Sequence, residues 1–264
     1  MPETVHADNV SIVLHRPKFP ENIGAAARAM RNMGMSRLVV VEPEDYDLPR
    51  VLKMATHAAA DIVAKVKIHP DLKTALSPYQ YIVGTTARLG RQRRRISTPS
   101  KVAVNLISIA MENQVAVLFG PEDRGLSNEA LRYCDVLVNI PTARFSSLNL
   151  AQAVMIMCYE IHGARPPGAA EEFVPRLAQR HELEGMYEQL KEILLRIDFI
   201  KPDNPDYWLN NLRRFFSRIQ LQAKEVRLIR GVCRQINWYG NKCFEDGMNA
   251  HKKMEGAEDS RGQG

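Results

Sequence analysis

No run of apolar residues in the 264-residue chain approaches the length needed to cross a bilayer, so a helical membrane protein is excluded and no membrane partner is expected. The start, MPETVHADNV, is acidic and polar where a secretory leader is basic and then greasy, and a cytoplasmic location is the expectation. Cysteine is scarce. Cys134, Cys158, Cys233 and Cys243 stand singly, and the seven histidines never fall at ligand spacing with them, so neither a disulfide framework nor a metal centre is indicated. A nucleotide-binding lysine is missing too. Gly120 and Gly125 are spaced like the glycines of a P-loop, but Leu126 and Ser127 follow, which disfavours an ATPase. No GxGxxG opens a helix after the first strand-like run, and the main support for a dinucleotide site goes with it.

What is present is a chain with 45% hydrophobic residues and 25% charged ones, enough for one substantial core and a small second one. The formal net charge is +6, and its placement matters more than its size. Arg88, Arg91, Arg93, Arg94 and Arg95 crowd the segment RLGRQRRR, which has no acid to neutralise them. Like charges packed this closely repel unless a polyanion meets them, and nucleic acid is the expected partner.

From Val10 to His162, short β-branched runs alternate with helical patterns: VSIVLH, RLVVVE, YQYIVG, VAVLFG and DVLVNI, each bounded by turn-forming residues. This is the signature of an α/β fold, a buried parallel sheet with helices on both faces. A helix with Asn22 as its N-cap places Ile23, Ala26, Ala27, Met30 and Met33 on one stripe. GARPPGAAEEFVP, from Gly163 to Pro175, has no apolar period and reads as a linker. Beyond it the periodicity is helical only, with Leu183, Met186, Tyr187 and Leu190 on one stripe and Leu209, Leu212, Phe215 and Phe216 on another. The expected division is therefore 1–162 for the α/β domain, 163–175 for the linker, 176–243 for a helical domain and 244–264 for a tail too polar to order itself.

Three segments carry polar residues where chemistry is done. In PENIGAAARAMRNMG, Gly24, Arg28 and Arg31 lie opposite the apolar stripe, and a bare Gly24 would let a ligand approach Arg28. Spacing alone leaves this open against an ordinary exposed helix face. VAVLFGPEDRGLSNEAL runs from a strand through a charged, glycine-bounded loop into a helix that Ser127 or Asn128 can cap, a position where open sheets bind ligands. NIPTARFSSLNLAQAV enters a long helix past Ser146, Ser147 and Asn149, more polar groups than one cap requires.

Together and in this order, PENIGAAARAMRNMG, LFGPEDRGLSNEAL and IPTARFSSLNLAQAV resemble the three signature motifs of the SpoU/TrmH-type branch of SPOUT methyltransferases. NLRRFFSRIQLQAKEVRLIRGVCRQI is similar to the C-terminal extension of the TrmJ-type tRNA 2′-O-methyltransferases, so the resemblance spans roughly residues 8 to 240. It implies a SPOUT-type parallel sheet with a C-terminal trefoil knot, a topology that general rules of chain connectivity disfavour, followed by a small all-helical domain that helps hold tRNA. It also implies a homodimer with each site at the subunit interface. By motif match, S-adenosylmethionine is held by Thr85, Thr86 and Ala87, by Gly120 and Leu126, and by Ile140, Ser147, Leu148 and Asn149. The catalytic set falls on Asn22, Arg28, Glu122, Ser147 and Asn149. The arginine-rich segment and, in the helical extension, Arg213 and Arg214 fall to RNA.

The reaction implied is methyl transfer to a ribose 2′-hydroxyl of cytidine or uridine at tRNA position 32. The alternatives are a ribosomal-RNA or other-site tRNA enzyme sharing the same motifs, and an RNA-binding protein of this fold without catalysis.

Overall fold

The computed structural model describes residues 7–87, 96–143, 147–165, 175–201 and 203–259. Among them, seven strands form one parallel sheet: β1 (Val10–His15), β2 (Arg37–Val41), β3 (Lys67–His69), β4 (Tyr81–Thr85), β5 (Ile96–Ser97), β6 (Val115–Phe119) and β7 (Val136–Val138). Their order across the sheet is β3-β2-β1-β6-β4-β7-β5. The five β-branched runs became β1, β2, β4, β6 and β7, the interior of the sheet. β3 and β5 went unread in the sequence because they are short edge strands, largely exposed or half-buried, and such strands carry no apolar run.

The strand period of two sorts the core into layers. On β1, Val10, Ile12 and Leu14 face one side and Val13 the other; on β6, Val115, Val117 and Phe119 oppose Ala116 and Leu118. The first face is covered by α1 (Pro20–Asn32), α2 (Leu48–Ala55), α3 (Ala60–Ala64), α5 (Pro99–Ala110) and α7 (Leu150–Gly163). The second is covered by α4 (Leu72–Leu76) and α6 (Asn128–Leu131). The register Ile12↔Val117 and Val83↔Val117 places the central side chains in rows, each fully buried aliphatic contributing about 1.5–3 kcal/mol.

Two expectations for α1 are corrected. Its N-cap is Phe19, with Pro20 in the first turn; Asn22 lies inside the helix, its side chain engaged elsewhere. Gly24 is buried, not open to a ligand: a Cβ there would stand 2.0 Å from the Val51 carbonyl oxygen and 3.0 Å from the Ala55 nitrogen. The missing side chain lets α1 and α2 pack backbone to backbone. The stripe Ile23, Ala26, Ala27 and Met30 is buried, and Met33 packs at its margin.

A helical module follows: α8 (Arg180–Arg196), α9 (Pro205–Ile219) and α10 (Ala223–Asp259). Ala178, Leu183, Met186, Tyr187, Leu221 and Val226 form its small core, with Leu190, Leu209 and Phe216 at the edge. Phe215, read as part of the apolar stripe, is instead 58% exposed, because Phe216 takes the inward position one residue, or about 100°, further round the helix. Residues 244–259, expected to lack structure, continue α10 as helix. Phe244 and Met248 are exposed there, so this part of the helix rests on local backbone hydrogen bonding, which a search for buried periodicity does not detect. No helix among the described residues is long and apolar enough to cross a membrane.

Candidate active site

The loops that leave the C-terminal ends of β4, β6 and β7 converge, as ligand-binding loops of open α/β sheets do. With the start of α7 they line a cavity of about 270 Å³. Loop positions are set by bonds to main-chain carbonyls: the Thr86 amide donates to that of Val138 (2.8 Å), the Thr85 hydroxyl to that of Leu118 (3.1 Å), and Asn139 Nδ2 to that of Thr86 (2.9 Å). After β6 the chain doubles back on itself. Gly125 has φ of +66°, its amide donates to the Pro121 carbonyl, and a Cβ on Gly120 would stand 2.4 Å from both Gly125 C and Leu126 N. Thr85, Thr86, Ala87, Gly120, Leu126, Ile140, Ser147 and Leu148 all line this cavity.

Asn149 does not line it. It lines an adjoining cleft with Asn22, Phe19 and Gln152, and the two concavities share Glu122, Ser147 and Leu148. One chain of hydrogen bonds runs along the shared wall. Asn22 Nδ2 donates to Glu122 Oε1 (2.6 Å), Asn149 Nδ2 donates to Asn22 Oδ1 (3.0 Å), and Asn149 Oδ1 caps α7 by accepting from the amides of Ala151 (2.9 Å) and Gln152 (3.4 Å). The three polar segments of the sequence thus meet in one network. Because Asn149 serves as the α7 cap and Asn22 accepts from it, both amides are oriented by what they hold, and the Glu122 carboxylate keeps lone pairs facing the cleft.

Lys18, outside the three motifs, and Asp123, within the second, complete this site. The Lys18 amide donates to Glu122 Oε2 (3.0 Å), and Lys18 Nζ pairs with Asp123 at 2.8 Å. Lys18 and then Arg124 hold the Asp123 carboxyl down at about 2, so the loop clasp is ionised throughout the physiological range. Arg124 pairs with Asp123 (3.1 Å). Glu122 is left to Asn22 and the Lys18 amide. Ser127 caps α6 by accepting from the Ala130 amide (3.1 Å).

Arg28 stands apart. It is exposed on α1, six residues beyond Asn22 and so about 9 Å further along the axis, and it lines neither concavity. Arg213 is committed elsewhere: both terminal nitrogens bond Glu184 at 2.5 Å, and its guanidinium lies 4.3 Å over the Tyr187 ring. Arg88, Arg91, Arg93, Arg94, Arg95 and Ser146 lie outside the described residues. Burial pushes the Cys158 thiol up to about 12, which removes it as a nucleophile. Among the described residues no group of three or more His, Cys, Asp or Glu is placed to hold a metal ion.

The family pattern of the SpoU rRNA Methylase family matches residues 9–159, which carry this whole site, and that of the tRNA methyltransferase TrmJ C-terminal domain matches residues 181–249. The chain belongs to the SpoU methylase family, in its TrmJ type. Among its relatives is the tRNA (cytidine/uridine/adenosine-2′-O-)-methyltransferase TrmJ of Pseudomonas aeruginosa, 34% identical over 85% of this chain and 92% of that one. The tRNA (cytidine/uridine-2′-O-)-methyltransferase TrmJ of Sodalis glossinidius is 33% identical over 86% of this chain and 91% of its own. The crystal structure of TrmJ from Zymomonas mobilis (Z. mobilis ZM4) superposes with a TM-score of 0.76 at 29% identity, covering 86% of this chain and 98% of that one. The parallel sheet and the helical module are therefore one architecture shared with a TrmJ over 86% of this chain.

Proposed function

We propose that this chain is a cytoplasmic tRNA 2′-O-methyltransferase that uses S-adenosylmethionine and acts on cytidine or uridine at position 32 of the anticodon loop. The observation that carries the reading is the Asn22–Glu122–Asn149 network at the mouth of the loop cavity, on a chain about one-third identical to tRNA 2′-O-methyltransferases over most of its length.

The cavity suits the methyl donor. Phe119, Leu126, Ile140 and Leu148 offer apolar walls to an adenine ring, backbone groups of the three loops offer hydrogen bonds, and the Glu122 carboxylate stands where a cationic sulfonium would be attracted. S-adenosylmethionine supplies, when bound, a methyl group already activated for transfer. The chain's own task is to align the ribose hydroxyl, exclude water and manage one proton. Glu122, Asn22, Asn149 and the Ser147 hydroxyl present acceptors and donors to the ribose where the two concavities join. The Arg28 guanidinium offers hydrogen-bond donors and no acceptor, so it acts as a donor to the developing alkoxide while the hydroxyl proton passes to an RNA phosphate or to water. Since Arg28 lines neither concavity, its approach to the hydroxyl depends on RNA binding or on the homodimer. The C-terminal trefoil knot belongs with this reading. The domain limits 1–162, 163–175 and 176–243 belong to it as well, with 176–243 as the tRNA-holding part; Arg214 is the better placed of the two arginines proposed there for RNA, and the five of the Arg88–Arg95 segment join it.

Labelled methyl transfer from S-adenosylmethionine to bulk tRNA lacking its native modifications, followed by nucleoside mapping, tests the reading. Label is expected in a 2′-O-methylated pyrimidine of the anticodon loop. Label elsewhere in tRNA or in ribosomal RNA replaces the target and keeps the chemistry; binding of RNA and cofactor with no transfer leaves a binding protein. The cavity carries its own prediction. Gly120→Ala forces a methyl group into backbone at 2.4 Å, a clash costing about 1–3 kcal/mol, and calorimetric titration is expected to show S-adenosylmethionine affinity lowered about tenfold or more.

A further inference from the structure

A third concavity lies where the sheet meets the helical module. It is a groove of about 800 Å³, roughly three times the loop cavity, and it shares no lining residue with that cavity. Lys101 of α5 stands on one wall and Arg214 and Arg218 of α9 on the other. None of the three has an ion-pair partner among the described residues. The acid on the wall, Asp135, is already engaged: its Oδ2 accepts from Arg180 Nη2 (2.6 Å) and from the Ile82 amide (2.8 Å). The groove therefore presents three uncompensated positive charges around one concavity, an arrangement that repels itself until a polyanion enters.

Two adjacent arginines show that this is a placement and not a general excess of charge. Arg213 turns inward to Glu184 and Tyr187, whereas Arg214, about 100° further round α9, faces the groove. Arg218 follows Arg214 by four residues, on the same face and about 6 Å along the axis. Arg218, in the last turn of α9, also complements the helix dipole; Arg214 and Lys101 have no such second use. The groove and the loop cavity are joined through β4: Tyr81 lines the first and Thr85 the second, four residues or about 13 Å apart. A strand of nucleic acid can span that distance with the target ribose at the mouth of the cavity and its neighbours in the groove.

We propose that this groove holds the phosphodiester backbone of the RNA substrate, with Lys101, Arg214 and Arg218 on successive phosphates. The proposal rests on the RNA-methylating reading above. It makes the orientation of α9 against the sheet part of substrate recognition.

The test is binding of unmodified tRNA to the full-length chain across a salt series. Each phosphate contact contributes about 0.7–0.9 to the slope of log affinity against log salt, so K101A/R214A/R218A is expected to lose about 2–3 from that slope and about 10- to 100-fold in affinity. A second variant, K53A/K65A/K67A, removes the same charge from exposed positions near the far edge of the sheet and is expected to keep the wild-type slope. Should the first variant fail to fold, Arg214→Gln alone reads the same quantity, with a loss of about one. Equal slopes for the two triple variants, with wild-type tRNA methylation intact, overturn the groove and leave the function standing. A groove-dependent slope in a wild type that transfers no methyl to tRNA does the reverse. A wild type that binds no tRNA at all overturns both.

Discussion

Arg28→Lys is expected to lower turnover by about 10²–10³-fold while S-adenosylmethionine binds as it does to the wild type. The two halves of that expectation have separate grounds. Arg28 lines neither concavity, so the free chain's affinity for a ligand in the loop cavity does not depend on it. Lysine keeps the charge but replaces a planar fork of five donors with a compact ammonium, and it cannot hold a phosphate and a developing alkoxide in one plane. Arg31 is the matched control. It is on the same helix, pairs with Asp61 at 3.2 Å and has no part in the reaction, so Arg31→Lys is expected to leave turnover unchanged. Single-turnover methyl transfer with saturating tRNA, beside calorimetry of the methyl donor, reads both quantities. Turnover of Arg28→Lys within a few-fold of wild type would remove Arg28 from the chemistry.

Asp135→Asn is expected to cost about 3–5 kcal/mol of stability, seen as a lower urea midpoint at fixed protein concentration. Asp135 sits at the start of β7 and Arg180 opens α8; their side chains are only 10% and 5% exposed, and 2.6 Å separates them. Burial alone would lower the Arg180 pKa, but the charge and hydrogen bond of Asp135 outweigh it and the guanidinium is held above its ordinary value. Removing the carboxylate leaves that charge buried and unpaired, with the Arg180 Nε already lacking a partner among the described residues. The pair is a latch between sheet and helical module, helped by the Arg180 amide donating to the Tyr79 carbonyl at 2.8 Å. Asp135→Leu with Arg180→Met, which removes both charges together, is expected to recover part of the loss, the remainder being the Ile82 amide left without its acceptor. Equal destabilisation in the single and double variants would show that packing, and not charge, holds the latch.

The same latch marks the limit of sequence reading. The interior strands were legible because buried parallel strands are short, β-branched and bounded by turn residues, and α1 was legible because Ile23, Ala26, Ala27 and Met30 repeat at helical spacing. Gly24 was misread for a related reason. Its absent side chain is visible in the sequence, but whether a ligand or another helix fills the space depends on α2, which passes over it some thirty residues later in the chain. Arg213 and Arg214 look alike as letters; one is tied to Glu184 and the other faces a groove only because α9 packs on α8 with one face inward.

By itself, then, the sequence determined the fold class, the order of the five interior strands along the chain and, through three motifs, the family and the residues around which a methyl-transfer site would be sought. These follow from local periodicity and from side-chain identity, which need no knowledge of what lies across the molecule. Only the tertiary structure decided that Asn22, Glu122 and Asn149 form one network across separations of 100 and 127 residues, that Lys18 and Asp123 clasp the same loop, and that a cationic groove opens beside α9. Hydrogen bonds and charge pairs act over a few ångströms, and which groups come that close is set by the packing of the whole sheet and its helices.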